Sequence, residues 1–249
     1  MGGASQGIGQ ASARLFAERG ANVILMSRRQ DMLEVTRASL PEPNRHRTLP
    51  VDLERLEDVT SNLARLVAEV GPVSVWVNNT GGPKAGPLME ASPDEMERAF
   101  RGHVLASQVI LRTLLPGMKQ LKYGRIINVL STSVKIPIAN LGVSNIVRSA
   151  MASWAKTLSV EVGPFGITVN NILPGFTDTP RLETLIGSAA LKTGKSEADV
   201  RFEWAGTVPM QRVADPSETA EAIAFLASPA ASYITGVSLP VDGGRTGAL

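Results

Sequence analysis

The chain has 249 residues, 43% of them hydrophobic, and carries 25 basic against 23 acidic side chains for a formal net charge of +2. That length fits one large α/β domain with a full core; the basic residues are scattered rather than clustered into a nucleic-acid face, and the absence of cysteine excludes disulfides, zinc–thiolate centres and thiol catalysis, so neither nucleic acid nor metal is expected. No apolar run reaches the roughly 18 residues of a membrane span and no basic-then-apolar leader opens the chain, so a cytoplasmic protein without membrane partners is expected.

Met1-Gly2-Gly3-Ala4-Ser5-Gln6-Gly7-Ile8-Gly9 opens an amphipathic helix with Ile8, Ala11, Leu15 and Phe16 on one face and Gly20 as its stop. Gly3, Gly7 and Gly9 give G-x-x-x-G-x-G, a variant of the dinucleotide turn, and Ser5, Gln6 and Ile8 complete it. Small residues let backbone N–H groups approach a pyrophosphate, and the helix N-terminus adds positive potential. Such a turn is often only a tight turn; the alternating β/α pattern that follows favours the cofactor. A strand over 21–26 ends in Ser27-Arg28-Arg29. An acidic residue there would accept from a ribose 2′-hydroxyl, whereas arginines suit a 2′-phosphate. NADP is therefore favoured over NAD, the other reading being a solvated surface pair.

A short helix over 31–40 and a strand over 48–51 follow, the strand ending in Asp52-Leu53, and Asp52 also reads as the N-cap of a helix over 54–70. An apolar strand over 73–77 runs into Asn78-Asn79-Thr80-Gly81-Gly82. Ser92-Pro93-Asp94-Glu95 combines a cap, an N1 proline and first-turn acids, and starts a helix that reaches about Gln120. The run over 126–130 suits a strand buried on both faces and ends in Ser131, Thr132 and Ser133. A loop with Lys135, Pro137 and Asn140 leads to a helix from near Ser144 to Gly163. A strand over 167–173 ends in Pro174-Gly175-Phe176-Thr177-Asp178-Thr179, and two helical pieces broken near Gly194 follow. Asp215 starts a helix to about Ala227, and a strand over 237–241 precedes Asp242-Gly243-Gly244. The expected fold is α/β, a Rossmann-type doubly wound parallel sheet in a single domain over 1–249. Its ligands belong outside the strand carboxyl ends.

With the glycine turn, Asn78-Asn79-Thr80-Gly81, Ser131 and Pro174-Gly175 in this order, the chain resembles the short-chain dehydrogenase/reductases over its whole length. In that family a strand at the sheet centre precedes the glycine turn. This chain begins inside the turn, so the first strand is expected to be missing, through loss of several N-terminal residues or with an open sheet centre. The resemblance implies that Asp52 and Leu53 border the adenine and that Asn79, Thr80 and Gly81 line the cofactor. It implies that Pro174, Gly175, Thr177 and Thr179 turn over the nicotinamide, that about 180–210 forms a substrate lid, and that the chain is a homodimer or homotetramer.

The catalytic positions depart from the family pattern. Its serine matches Ser131, but thirteen residues on, Ser144 stands for the tyrosine; four further, Arg148 stands for the lysine, and His103 replaces a helix asparagine. Tyr123 and Tyr233 are the only tyrosines, and neither is expected at the site. Ser144 is a poor acid, while Arg148 can bind ribose hydroxyls and supply a positive field but releases no proton. His103 either relays protons near neutral pH or is structural. Lys135, four residues after Ser131, is a proton donor if burial lowers its pKa, or else a solvated loop lysine. The Ser-Val-Lys loop, Ser-Asn-x-x-Arg helix start and Asn-Thr-Gly-Gly-Pro turn are similar to a minority branch of the family. Two readings follow. One is an NADP-dependent oxidoreductase of small carbonyls or alcohols, resembling 3-oxoacyl reductases, with Ser131 and Lys135 as its working pair. The other is an inactive dinucleotide-binding structural or sensing protein.

Overall fold

The computed structural model describes residues 1–247, in which strands and helices alternate. In chain order they are α1 (Gly7–Glu18), β1 (Ile24–Ser27), α2 (Gln30–Ala38), β2 (Arg47–Pro50), α3 (Leu56–Val70), β3 (Val75–Asn79), α4 (Pro93–Phe100), α5 (Ala106–Leu121) and β4 (Gly124–Val129). Then come α6 (Gly142–Val162), β5 (Ile167–Pro174), α7 (Pro180–Thr193), α8 (Glu197–Gly206), α9 (Pro216–Ala227) and β6 (Ser238–Val241). Caps written in the sequence set several starts. Ser92 and Glu95 close a capping box on α4, and Asp215 and Glu218 do the same on α9.

All strand pairs are parallel: β2 lies on β1, and β3, β4, β5 and β6 follow one another in a second ribbon. Met1 and Gly2 stand between the two. Met26 N donates to Met1 O at 2.9 Å and Gly2 N donates to Val77 O at 2.9 Å, so this short segment ties β1 to β3. The expected gap at the sheet centre is thus spanned by two residues. Read across, the order β2-β1-(Met1, Gly2)-β3-β4-β5-β6 is doubly wound, with its switch point at the glycine turn.

The two faces of the sheet bury separate clusters. Val59, Leu63, Ile110 and Leu158 from α3, α5 and α6 cover Trp76, Ile126 and Val169, while Ile223 and Leu226 of α9 cover Val77, Ile127 and Ile172. β4 is buried along its whole length, Arg125 and Asn128 included. One row through this interior is polar. Asn78, Asn128, Asn171 and Ser238 sit in register on β3 to β6. Each amide donates to the next residue, at 2.9, 2.9 and 3.0 Å. The row ends on Ser107, which accepts from Asn78 at 2.8 Å and donates to His103 O at 2.5 Å. Every rung meets the partner that burial demands. Between α4 and α5 the helix widens into a π turn at Arg101–Leu105, which holds the buried His103.

Candidate cofactor and reaction site

The glycine turn forms one wall of a groove along the strand carboxyl ends. A Cβ on Gly9 would lie 2.3 Å from Gly3 O, so only glycine lets α1 start this close to the turn. Gly7, at φ +56°, abuts the methyl of Thr179 from the opposite wall. Gln6, the N-cap of α1, makes no side-chain capping bond, which leaves first-turn N–H groups free for an anion. At the end of β1, Ser27 Oγ is buried without a protein partner, and Arg28 and Arg29 are exposed. Arg29 Nη2 donates to Gln6 Oε1 at 3.4 Å, so the basic pair and the turn converge. A turn of tight glycines, an orphaned hydroxyl and two arginines without a carboxylate partner among the described residues fit the diphosphate and 2′-phosphate of a dinucleotide.

Asp52 is not the cap of α3: the N-cap is Arg55, and Asp52 Oδ1 instead accepts from Glu54 N at 3.1 Å in a two-residue turn. That turn precedes the helix because α3 starts later than its sequence pattern suggests. Leu53 packs on the core formed with α3. Asn79 Nδ2 donates to Gly2 O at 3.3 Å, locking the loop after β3 onto the glycine turn. In the opposite wall, Thr177 and Thr179 hydroxyls donate to Gly175 O and Thr177 O at 3.3 and 3.2 Å, and Pro174 ends β5.

At the far end of the groove, Arg148 projects from the first turns of α6 and is buried. Its guanidinium donates to Val129 O at 3.0 Å, Thr80 O at 3.1 Å and Thr80 Oγ1 at 3.5 Å. It therefore ties β4 to the loop after β3, and three bonds leave some of its five donors unused. Burial, and next the charge of Arg181, lower its pKa to about 10, so it stays charged. His103 Nδ1 lies 2.6 Å from Thr80 Oγ1. Burial first and Arg148 second push His103 down to about 3, against a backbone bond at Gly81 that raises it. Held neutral in this way, the imidazole favours the structural alternative over a relay near neutrality. Ser131 is half-buried at the end of β4, and its Oγ accepts from Ser133 N at 3.1 Å.

Ser144 is buried one turn before Arg148. Lys135 follows the single turn Thr132–Val134 and is exposed, so the burial expected to tune it is absent. Its loop carries Pro137 and bulges into solvent, pinned by Asn145, whose Nδ2 donates to Ile138 O at 2.9 Å. Tyr123 is engaged elsewhere, donating to Ala227 O at 3.0 Å, and Tyr233 is fully exposed. The region 180–210, expected as a lid, folds into α7 and α8, broken at Gly194. It carries Arg181, a residue to which the sequence reading gave no role. Arg181 Nη2 donates to Pro83 O at 2.8 Å across the groove mouth. Its one sequence signal was a cation in the first turn of a helix, where acids belong.

A doubly wound parallel sheet with a glycine turn at its switch point and polar residues at its carboxyl edge defines a dinucleotide-binding α/β protein. A family model described as enoyl-(acyl carrier protein) reductase matches residues 3–246. The chain belongs to the short-chain dehydrogenase/reductase family. It is 30% identical to the NADPH-dependent reductase BacG of Bacillus subtilis (strain 168), covering 97% of this chain and 95% of that one. It is 35% identical to cis-4-hydroxycyclohexanecarboxylate dehydrogenase of Sinomonas cyclohexanicum, over 98% and 94% of the two chains. Its structure is similar to L-sorbose reductase of Gluconobacter frateurii complexed with NADPH and L-sorbose, with TM-score 0.93, 31% identity and coverage of 100% and 96%.

Proposed function

We propose that the chain is an NADP-dependent oxidoreductase that interconverts a small carbonyl compound and its alcohol. Membership of the family makes it an oxidoreductase, and relatives named as reductases and dehydrogenases give the inactive, purely structural reading no support. The observation that carries the proposal is the meeting of the glycine turn, Asn79 to Gly81, Ser131 and Arg148 along one edge of the sheet. Gly3, Ser5, Gln6, Gly7, Ile8 and Gly9 receive the diphosphate, Ser27, Arg28 and Arg29 the 2′-phosphate end, and Asp52 and Leu53 the adenine. Pro174, Gly175, Thr177 and Thr179 close over the nicotinamide. When bound, NADP would supply the redox half of the reaction, the hydride given to or taken from the substrate carbon.

The protein supplies orientation and charge. Ser131 Oγ–H donates to the substrate oxygen and fixes the carbonyl face. Arg148 holds ribose hydroxyls and places a permanent positive charge near the oxygen that gains electron density. His103, kept neutral, braces Thr80 and hence the carbonyl on which Arg148 rests. Ser144 passes a hydrogen bond but is too weak an acid to initiate protonation. Lys135 lacks the burial that would tune it; as the one cation on the solvent-facing loop one turn beyond Ser131 it is retained as a proton source that exchanges with water. Replacing Lys135 with Met should lower carbonyl reduction at least about tenfold, and an unchanged rate removes it from the mechanism.

The cofactor assignment is tested by fluorescence titration. NADPH should bind at least about tenfold more tightly than NADH, and Arg29→Ala should erase most of that preference, because a phosphate bonded to arginine is a charge-assisted pair. Equal affinities, or no binding, would remove the NADP reading. We further propose a homodimer or homotetramer working in the cytoplasm, with α7 and α8 as the lid of a single 1–249 domain. α4 and α6 leave Met96, Phe100, Ile146 and Val160 exposed, as an assembly face would.

A further inference from the structure

Arg148 and Arg181 hold the two ends of one loop, at Thr80 O and Pro83 O. Those carbonyls are three residues apart, at most about 11 Å along an extended chain, so the two guanidinium groups flank one short loop at the groove mouth, near enough for the charge of Arg181 to act on Arg148. Neither has a carboxylate partner among the described residues. The contrast with the other flank of the lid is sharp. A cavity of about 580 Å³ there is bordered by Arg201, bonded to Asp178 and Glu183, and by Arg212, bonded to Glu218.

Arg181 is also placed against local electrostatics. It stands in the first turn of α7, where the helix dipole favours an anion, and is half-buried beside a second cation. Residues that break local rules without a structural return mark sites where a ligand completes the balance. An anion entering the mouth would relieve the repulsion, the adverse dipole and the missing partner together. A planar guanidinium offers a carboxylate two parallel N–H bonds.

We propose that Arg181, with Arg148 behind it, receives the carboxylate of the substrate, so that the reacting compound is an oxo acid or the matching hydroxy acid. The assignment rests on the oxidoreductase reading and names its substrate class. In the reductive direction a hydride equivalent reaches the carbonyl carbon and a proton reaches its oxygen, while the carboxylate stays ionised and serves only as the handle.

The test compares wild type with Arg181→Met, both loaded with NADPH, on matched probes: acetoacetate against methyl acetoacetate, and 2-oxobutanoate against its methyl ester. Wild type should favour each acid over its ester at least about tenfold in kcat/KM, and Arg181→Met should lose that preference while NADPH affinity stays within about twofold. Arg181→Lys, which keeps the charge but not the fork, should restore part of it. A wild type that handles esters as well as acids, or a preference that survives Arg181→Met, overturns the proposal. So does a loss of NADPH affinity with the preference intact, which would assign Arg181 to the cofactor phosphates. If no probe turns over, calorimetry of the same probes on the NADP-loaded protein decides. Arginine-dependent binding of acids but not esters would sustain the receptor while the reductase reading fails; equal binding, or none, would end it.

Discussion

His103 shows how far surroundings can move a single side chain. Buried beside Arg148, it stays neutral down to about pH 3, whereas an unfolded histidine takes up its proton near pH 6.5. Between those values the unfolded chain binds a proton that the native protein refuses, so stability falls as the pH drops through that window. His103→Asn should flatten this slope. Thermal unfolding at pH 5 and pH 7.5 would show it, and equal slopes in the two proteins would mean that His103 is not the group responsible. Arg148 combines two duties that a lysine cannot. Its fork reaches Val129 O and Thr80 O together and keeps donors for a ligand, while an ammonium is a single point of charge. Arg148→Lys should therefore weaken NADPH binding at least about tenfold and destabilise the fold by about 1–3 kcal/mol, since a buried carbonyl loses its donor. A variant with wild-type affinity and melting temperature would contradict this. The arginine was readable from its spacing to Ser131, but its grip on two carbonyls was not, because the partners come from other strands.

Among the elements, those with local signals were the most legible. The serine cap and acidic first turn of α4, the aspartate cap of α9 and the glycine turn before α1 lie within a few residues of what they control. The π turn at Arg101–Leu105 gave no such signal, and neither did the late start of α3. The Asn row was hidden for a different reason. Its partners are 50 and 43 residues apart in sequence, and only the register of β3, β4 and β5 brings them together. Asn128→Leu should cost about 2–4 kcal/mol, because an amide hydrogen of Asn78 and the carbonyl of Asn171 are left buried without it. For a chain of this size that lowers the melting temperature by roughly 5–15 °C. A loss under about 1 kcal/mol would show that water or repacking replaces the rung. In the first turn of α7, Arg181→Gln removes a cation and should leave the melting temperature unchanged or slightly raised. A clear drop would make Arg181 structural.

For the whole molecule, the parallel α/β plan followed from the alternation of apolar runs and amphipathic segments, and its switch point from the glycine turn. The expected assembly surface is measurable. Light scattering should give a dimer or tetramer, and Val160→Glu should shift it toward monomer, whereas a wild type that is monomeric throughout would refute the arrangement. The inward asparagines carry a further consequence. Apolar strands covered on both faces tolerate a slide of two residues, since such a shift returns the same faces to the same layers. A row of amides does not, because each would then meet a hydrocarbon neighbour. The row therefore acts as an index mark across four strands. It obliges Asn79, Val129 and Ile172, each one residue past it and in register, to emerge at one common height, and so levels the platform on which hydride and proton must meet.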